Sequence, residues 1–272
     1  MTVTTMIAAG VAATVAWWVV PVPLGAQVRV SADDEWCKQH GASERAYACE
    51  VREATLAADG RVSVDARPNG GIDVTGTERG DVLVRVRVAA WADTDEEARQ
   101  MVSDVRLDLD GAELSASGPD RSGRRSWSAS FRLSVPVRTD LALESTNGGI
   151  AIEDVDGDIE LRTTNGGIRV TGLAGTVRGR TTNGGVTVAL TGDRWSGSGL
   201  DVRTTNGGVT LMVPEGYSAR LETGTTNGGM TVDFPVTVQG RIGRRLSTDL
   251  GSGGPPVTVV TTNGGVTIRR PE

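Results

Sequence analysis

The chain has 272 residues, a formal net charge of −6 and only 4% aromatic residues, and its positive charge is almost all arginine, with Lys38 the single lysine. This mildly acidic balance excludes nucleic acid as an expected partner. A hydrophobic content of 38% together with 37 glycines suits a β protein with a thin core of small and β-branched side chains.

Met1–Ala26 carries no charged side chain. The apolar run Met6–Val20 contains Trp17 and Trp18 and gives way to Pro21, Pro23 and Leu24-Gly25-Ala26-Gln27. This resembles a secretory signal peptide cut after Ala26, although it lacks a basic n-region and has Leu at position −3. The protein is therefore expected to be exported to the periplasm, the cell surface or the medium. The alternative is a retained anchor, but the run is shorter than the roughly 20 residues that span a bilayer. Membrane association is expected only if the segment is not cleaved.

Cys37 and Cys49 are the only cysteines, in a segment 27–58 that reads as an N-terminal cap. Two cysteines in an exported chain most simply form a disulfide. A metal site formed with His40 is the rival reading. A solenoid needs such a cap because an open end exposes unpaired strand edges.

Residues 59–144 read as a divergent β-rich half. Val62 and Val64 alternate inward before Asn69, and Gly71–Val74 follows it as a strand. Val82, Val84, Val86 and Val88 alternate with Leu83, Arg85 and Arg87 in a strong strand. Thr94-Asp95-Glu96-Glu97 is a capping box that opens one short helix over 95–103. Val105–Leu109 returns to strand, Gly118–Arg125 is a polar loop, and Trp127–Val135 is a long alternating strand.

Residues 145–272 are organised by one phrase, Thr-Thr-Asn-Gly-Gly, at Thr163–Gly167, Thr181–Gly185, Thr204–Gly208, Thr225–Gly229 and Thr261–Gly265. Ser145–Gly149 is a close variant and Arg67–Gly71 a distant one. The asparagines fall at Asn69, Asn147, Asn165, Asn183, Asn206, Asn227 and Asn263. A fixed period near 20 marks a repeat architecture. Within one repeat, Ile150 and Ile152 alternate with Ala151 and Glu153, Asp156-Gly157 reads as a turn, and Ile159 and Leu161 alternate with Glu160 and Arg162. The expected fold is all-β: a parallel β-solenoid with two short strands per coil of about 18 residues and one helix inserted in the N-terminal half.

An antiparallel meander would also use Asn-Gly turns. The solenoid explains more, because stacking identical residues about 4.8 Å apart lets side chains bond their copies above and below. The extra residues at Asp193–Gly199 and Pro214–Ser218 then fall opposite the Asn corner. The last asparagine step, from Asn227 to Asn263, reads as two turns. Its hidden coil puts Leu246-Ser247-Thr248-Asp249 where Thr-Thr-Asn would stand, so Asn263 is expected at the end of the stack.

The only histidine is His40, which excludes a Ser-His-Asp or Cys-His system. There is no HExxH, P-loop, dinucleotide fingerprint or Gly-Gly-x-Gly-x-Asp calcium repeat, so no catalytic residue, metal or cofactor is expected. The best catalytic candidate is the acidic cluster Glu153, Asp154, Asp156 and Asp158, read as a solvated turn. Sugar platforms would have to come from Trp195, Tyr217 and Phe234. Outward threonines evoke an ice-binding face, but Arg162, Arg180 and Arg203 flank them.

The Asn-Gly-Gly repeats and the ending Gly253-Gly254-Pro255-Pro256-Val257 to Thr262-Asn263-Gly264-Gly265 resemble the bacterial putative-adhesin family with β-strand repeats, domain of unknown function 4097. The resemblance covers roughly Asp59–Arg270 and implies a fold more than a function, with no catalytic signature to carry over. The expected function is thus an exported, non-enzymatic surface or periplasmic binding or structural module whose partner is a surface ligand, an envelope protein or a polysaccharide. A β-helix polysaccharide lyase or hydrolase and an envelope regulatory module are the alternatives.

Overall fold

The computed structural model describes residues 28–32, 34–38, 44–109, 113–234 and 243–271. The expected signal segment Met1–Ala26 and His40 lie outside these residues. The described residues begin with β1 (Arg29–Ser31), helix α1 (Glu35–Lys38) and β2 (Ala46–Ala57). Next come β3 (Arg61–Asp65), β4 (Ile72–Thr77), β5 (Asp81–Ala92), helix α2 (Asp95–Asp104), β6 (Arg106–Asp108), β7 (Glu113–Ser117) and β8 (Ser126–Pro136). The regular half contributes strands in pairs: β9 (Asp140–Ser145) with β10 (Ile150–Glu153), β11 (Asp156–Thr163) with β12 (Ile168–Thr171), β13 (Ala174–Asn183) with β14 (Val186–Ala189), and β15 (Gly199–Asn206) with β16 (Val209–Met212). After β17 (Ala219–Asn227) and β18 (Met230–Val232) comes β19 (Arg245–Leu250), and β20 (Pro256–Asn263) and β21 (Val266–Arg269) end the chain.

These strands form two open sheets. Sheet A runs β1-β2-β5-β8-β4-β10-β12-β14-β16-β21-β18, and sheet B runs β19-β17-β20-β15-β13-β11-β9-β3-β7-β6. Through the middle every pairing is parallel and in register. Ile150, Ile168, Val186 and Val209 line up in sheet A, and Leu141, Ile159, Val177 and Leu200 in sheet B. The fold is all-β and solenoid-like, with no hairpin meander through the regular half. Period-two patterning sends these aliphatic rows inward, where they are buried in one continuous core between the sheets. Gly179 takes an inward place in β13, where a methyl group would press on both Val202 methyls.

The first end of the stack is closed by antiparallel strands. β8 pairs parallel with β4 but antiparallel with β5, β5 pairs antiparallel with β2, and β2 with the short edge strand β1. Helix α2 starts where the capping box places it, with the Glu97 amide donating to the Thr94 hydroxyl at 3.2 Å, and it buries Ala98, Met101 and Val102. It packs on β2 and β5.

Three sequence expectations are corrected. Asp156 and Gly157 are the first residues of β11, not a turn; the chain turns two residues earlier, at Asp154, whose φ is 56°. Leu246–Asp249 is not a degenerate coil but part of β19, which pairs antiparallel with β17. Asn263 does not end the stack. β20 lies between β15 and β17, and β21 between β16 and β18. The last coil of the chain is therefore inserted inside the coil that precedes it. The other end mirrors this arrangement: β7 and β8 stack outside β3 and β4, so the first coil is also second from its end. The physical reason is that identical Thr-Thr-Asn-Gly-Gly phrases offer equivalent docking edges, and β19 then covers the edge of β17 that remains.

Candidate functional site

The asparagines form a single ladder along one corner. Asn147 donates to Asn69 at 2.9 Å, Asn165 to Asn147 at 2.8 Å, Asn183 to Asn165 at 2.9 Å and Asn206 to Asn183 at 2.9 Å. The ladder then passes to Asn263, which donates to Asn206 at 2.8 Å, and only then to Asn227, which donates to Asn263 at 2.7 Å.

The rest of the phrase has separate duties. The first threonine points inward, and its hydroxyl donates to the carbonyl of the first glycine of the adjoining coil. These bonds are Thr163 to Gly148, Thr181 to Gly166, Thr204 to Gly184 and Thr261 to Gly207, at 2.7–2.8 Å. Ser145 serves Gly70 in the same way at 2.7 Å. Thr225, in the outermost coil, breaks the pattern: its buried Oγ1 has no hydrogen-bond partner among the described residues. The first glycine has no room for a side chain, since a Cβ on Gly166 would lie 2.1 Å from the Gly148 oxygen. The second threonine points to solvent.

One rung further from the corner, the outer face of sheet B carries a row of arginines. Arg162 pairs with Arg180 across β11 and β13, and Arg180 with Arg203 across β13 and β15. The row continues through Val260 and Gly224 to Arg245 on β19. Small side chains at those two rungs leave a dip between Arg203 and Arg245, about 14 Å across at three strand spacings. The outward threonines Thr182, Thr205, Thr226 and Thr262 form its other side. The whole is a groove of about 860 Å³ running along the axis of the stack. Among the described residues, four arginines and one carboxylate, Glu222, line it. Arg203 is held by Asp201 at 2.7 and 2.9 Å, and that bond raises its pKa above the ordinary guanidinium value. Arg162 stands 3.7 Å from Glu160. Arg180 makes no ion pair with any described residue.

The sequence shows Arg162, Arg180 and Arg203 each directly before a Thr-Thr, which is the signal for this row. Arg245, Val260 and Gly224 reach it only through the inverted coil order, which no local pattern announces.

The acidic cluster is dispersed along the opposite corner. Glu153 ends β10, Asp154 sits in the turn, and Asp156 and Asp158 belong to β11, where Asp158 pairs with Arg178 at 3.3 Å. Among the described residues, no three His, Cys, Asp or Glu side chains converge as a metal site. Trp195 and Tyr217 are 3% exposed and belong to the core, with the Trp195 indole donating to the Gly175 carbonyl at 3.1 Å. Burial pushes the Tyr217 phenol up to about 12. Phe234 is covered by Arg270, 4.0 Å from its ring centre. None of the three is free to act as a sugar platform.

Cys37 and Cys49 form a disulfide with Cα atoms 5.7 Å apart, tying α1 to β2. Beside it Trp36 lies under the guanidinium groups of Arg132 at 4.2 Å and Arg87 at 5.5 Å. No described helix is long and apolar enough to cross a membrane.

Comparison with known proteins gives one family and several distant structures. A putative cell adhesion protein from Clostridium sporogenes is similar at 12% identity and a TM-score of 0.42, over 84% of this chain and 100% of that one. A putative adhesin from Bacteroides fragilis is similar at 10% identity and a TM-score of 0.34, over 82% and 97%. A putative lipid binding protein from Parabacteroides distasonis is similar at 11% identity and a TM-score of 0.31, over 82% and 97%. No curated protein matches the chain. The Toastrack profile, DUF4097, matches residues 77–269, spanning the helical excursion, the whole ladder from Asn147 onward and the arginine row, and the chain belongs to that family.

Proposed function

We propose that the protein is an exported, non-enzymatic, adhesin-like module that binds or scaffolds in the bacterial cell envelope. The observation that carries this reading is the groove on sheet B. It is built from repeated rungs, its walls are guanidinium and hydroxyl groups, and it lies on paired strands rather than on mobile loops. Such a surface offers many equivalent weak contacts along one direction, which suits an extended partner. The Cys37–Cys49 bridge supports an oxidising compartment.

The test is sedimentation of the purified protein with insoluble envelope polysaccharide, alongside an assay for released reducing ends. Co-sedimentation without release of sugar is the expected result. Release by the wild type that disappears in the variant Asp154→Asn, Asp156→Asn, Asp158→Asn would replace this reading with a carbohydrate-active enzyme.

A further inference from the structure

We infer that the groove on sheet B takes a linear polymer of acidic sugars, with carboxylates on the Arg162–Arg180–Arg203 row and sugar rings over the Val260–Gly224 floor. The inference rests on the binding-module reading and names its ligand class. Three arginines lie on directly paired positions of neighbouring strands, about 4.8 Å apart. Like charges facing each other across strands destabilise a sheet. The fold does not compensate all of them. Asp201 holds Arg203, and Glu160 and Glu144 flank Arg162, but Glu144 is also engaged by Arg67 at 3.2 Å. Arg180 lies between the other two arginines, and the neighbouring outward residue on its own strand is Arg178, which is paired with Asp158. A bound anion is the counter-charge this row lacks.

The chemistry of the walls narrows the ligand. Guanidinium groups accept carboxylates in a bidentate fashion, and the adjoining threonine hydroxyls exchange hydrogen bonds with sugar hydroxyls. The rungs repeat along the stack at a spacing comparable to that of successive residues in an extended sugar chain. Among the described residues the groove has no aromatic side chain on which bases could stack, which disfavours single-stranded nucleic acid. A cationic row on a chain of net charge −6 also concentrates attraction for a polyanion on this one face.

The test is affinity electrophoresis and titration calorimetry with polygalacturonate, using its fully methyl-esterified form as the uncharged control. The wild type should bind polygalacturonate, lose affinity steeply with added salt and ignore the ester. Arg180→Gln should weaken binding several-fold, and the triple variant Arg162→Gln, Arg180→Gln, Arg203→Gln at least tenfold, with an unchanged circular dichroism spectrum and a urea midpoint no lower than that of the wild type. The single exposed variant keeps the test alive if the triple one is unstable.

Equal binding of the ester, equal binding by the triple variant, or no binding at low salt overturns the inference. So does row-dependent binding confined to phosphatidylglycerol vesicles or to single-stranded DNA. If polygalacturonate binding fails while the protein still sediments with envelope polysaccharide, the inference falls and the binding-module reading stands. Failure of both removes the binding-module reading as well.

Discussion

Replacing single asparagines in the ladder tests the order of coils directly. Asn263 makes two side-chain bonds, donating to Asn206 at 2.8 Å and accepting from Asn227 at 2.7 Å. Asn183 also makes two, to Asn165 and from Asn206. Asn227 donates one. A side-chain hydrogen bond contributes about 0.5–1.5 kcal/mol net, and at an exposed corner the lower half of that range applies because water takes over the freed amide. Asn263→Ala and Asn183→Ala should therefore each cost about 1–2 kcal/mol, and Asn227→Ala about half as much. None of these residues has positive φ, so alanine adds no backbone strain. The assay is urea unfolding of the three variants and the wild type, compared at a common slope. Stacking in chain order would make Asn263 the terminal rung, so a loss at Asn263 no larger than at Asn227 would refute the inserted coil.

Other substitutions probe the rest of the phrase. Gly166→Ala places a methyl 2.1 Å from the Gly148 oxygen and should cost about 1–3 kcal/mol or more, whereas Gly229→Ala, with nothing within 4 Å, should be within about 0.5 kcal/mol of wild type in the same urea series. Thr204→Val removes a hydroxyl bonded to the Gly184 carbonyl at 2.7 Å and should lower stability by about 1 kcal/mol. Thr225→Val removes a buried hydroxyl with no partner among the described residues and should raise the thermal midpoint, and a fall there would mean that the hydroxyl is satisfied in solution. The Arg67 guanidinium holds the Asp65 carboxyl below its ordinary range. Its stabilisation is thus fully present above the unfolded value near pH 4 and lost as pH falls through the lower folded value, so Asp65→Asn should flatten the acid limb of a stability–pH curve.

Much of the fold is legible in the sequence for a physical reason. Strand alternation fixes which residues are inside, and a phrase whose first threonine, asparagine and first glycine each meet a neighbouring coil must recur with them in place. Coil order is not legible, because the edges beside Asn206, Asn227 and Asn263 present the same pattern of donors and acceptors. What decides between them is β19, whose Leu246 fills the core next to Thr223, and its alternation is too short to stand out in sequence. The arginine row shows the same limit. Arg162, Arg180 and Arg203 are visible as a periodic residue type, but a charge in a repeat reads as solvation until the rungs on either side of it are known. The acidic stretch at 153–158 misleads in the opposite direction: carboxylates close in sequence are separated by strand geometry and by the turn at Asp154.

The insertion of the last coil changes what shortening or lengthening the chain would do. In a stack laid down in chain order, deleting the final repeat removes one end layer and leaves the rest intact. Here, cutting after Pro255 would take out a layer from inside, leaving residues 199–212 and 219–232 without their shared neighbour and splitting the arginine row at the Val260 rung. The same holds for the first coil at the other end. Both ends are locked by a returning segment, so a longer or shorter member of this architecture has to gain or lose repeats in the middle, between Asn147 and Asn206, where one layer simply follows the next. The groove would lengthen by one arginine with each repeat added there, so the length of ligand it can grip is set by the same segment.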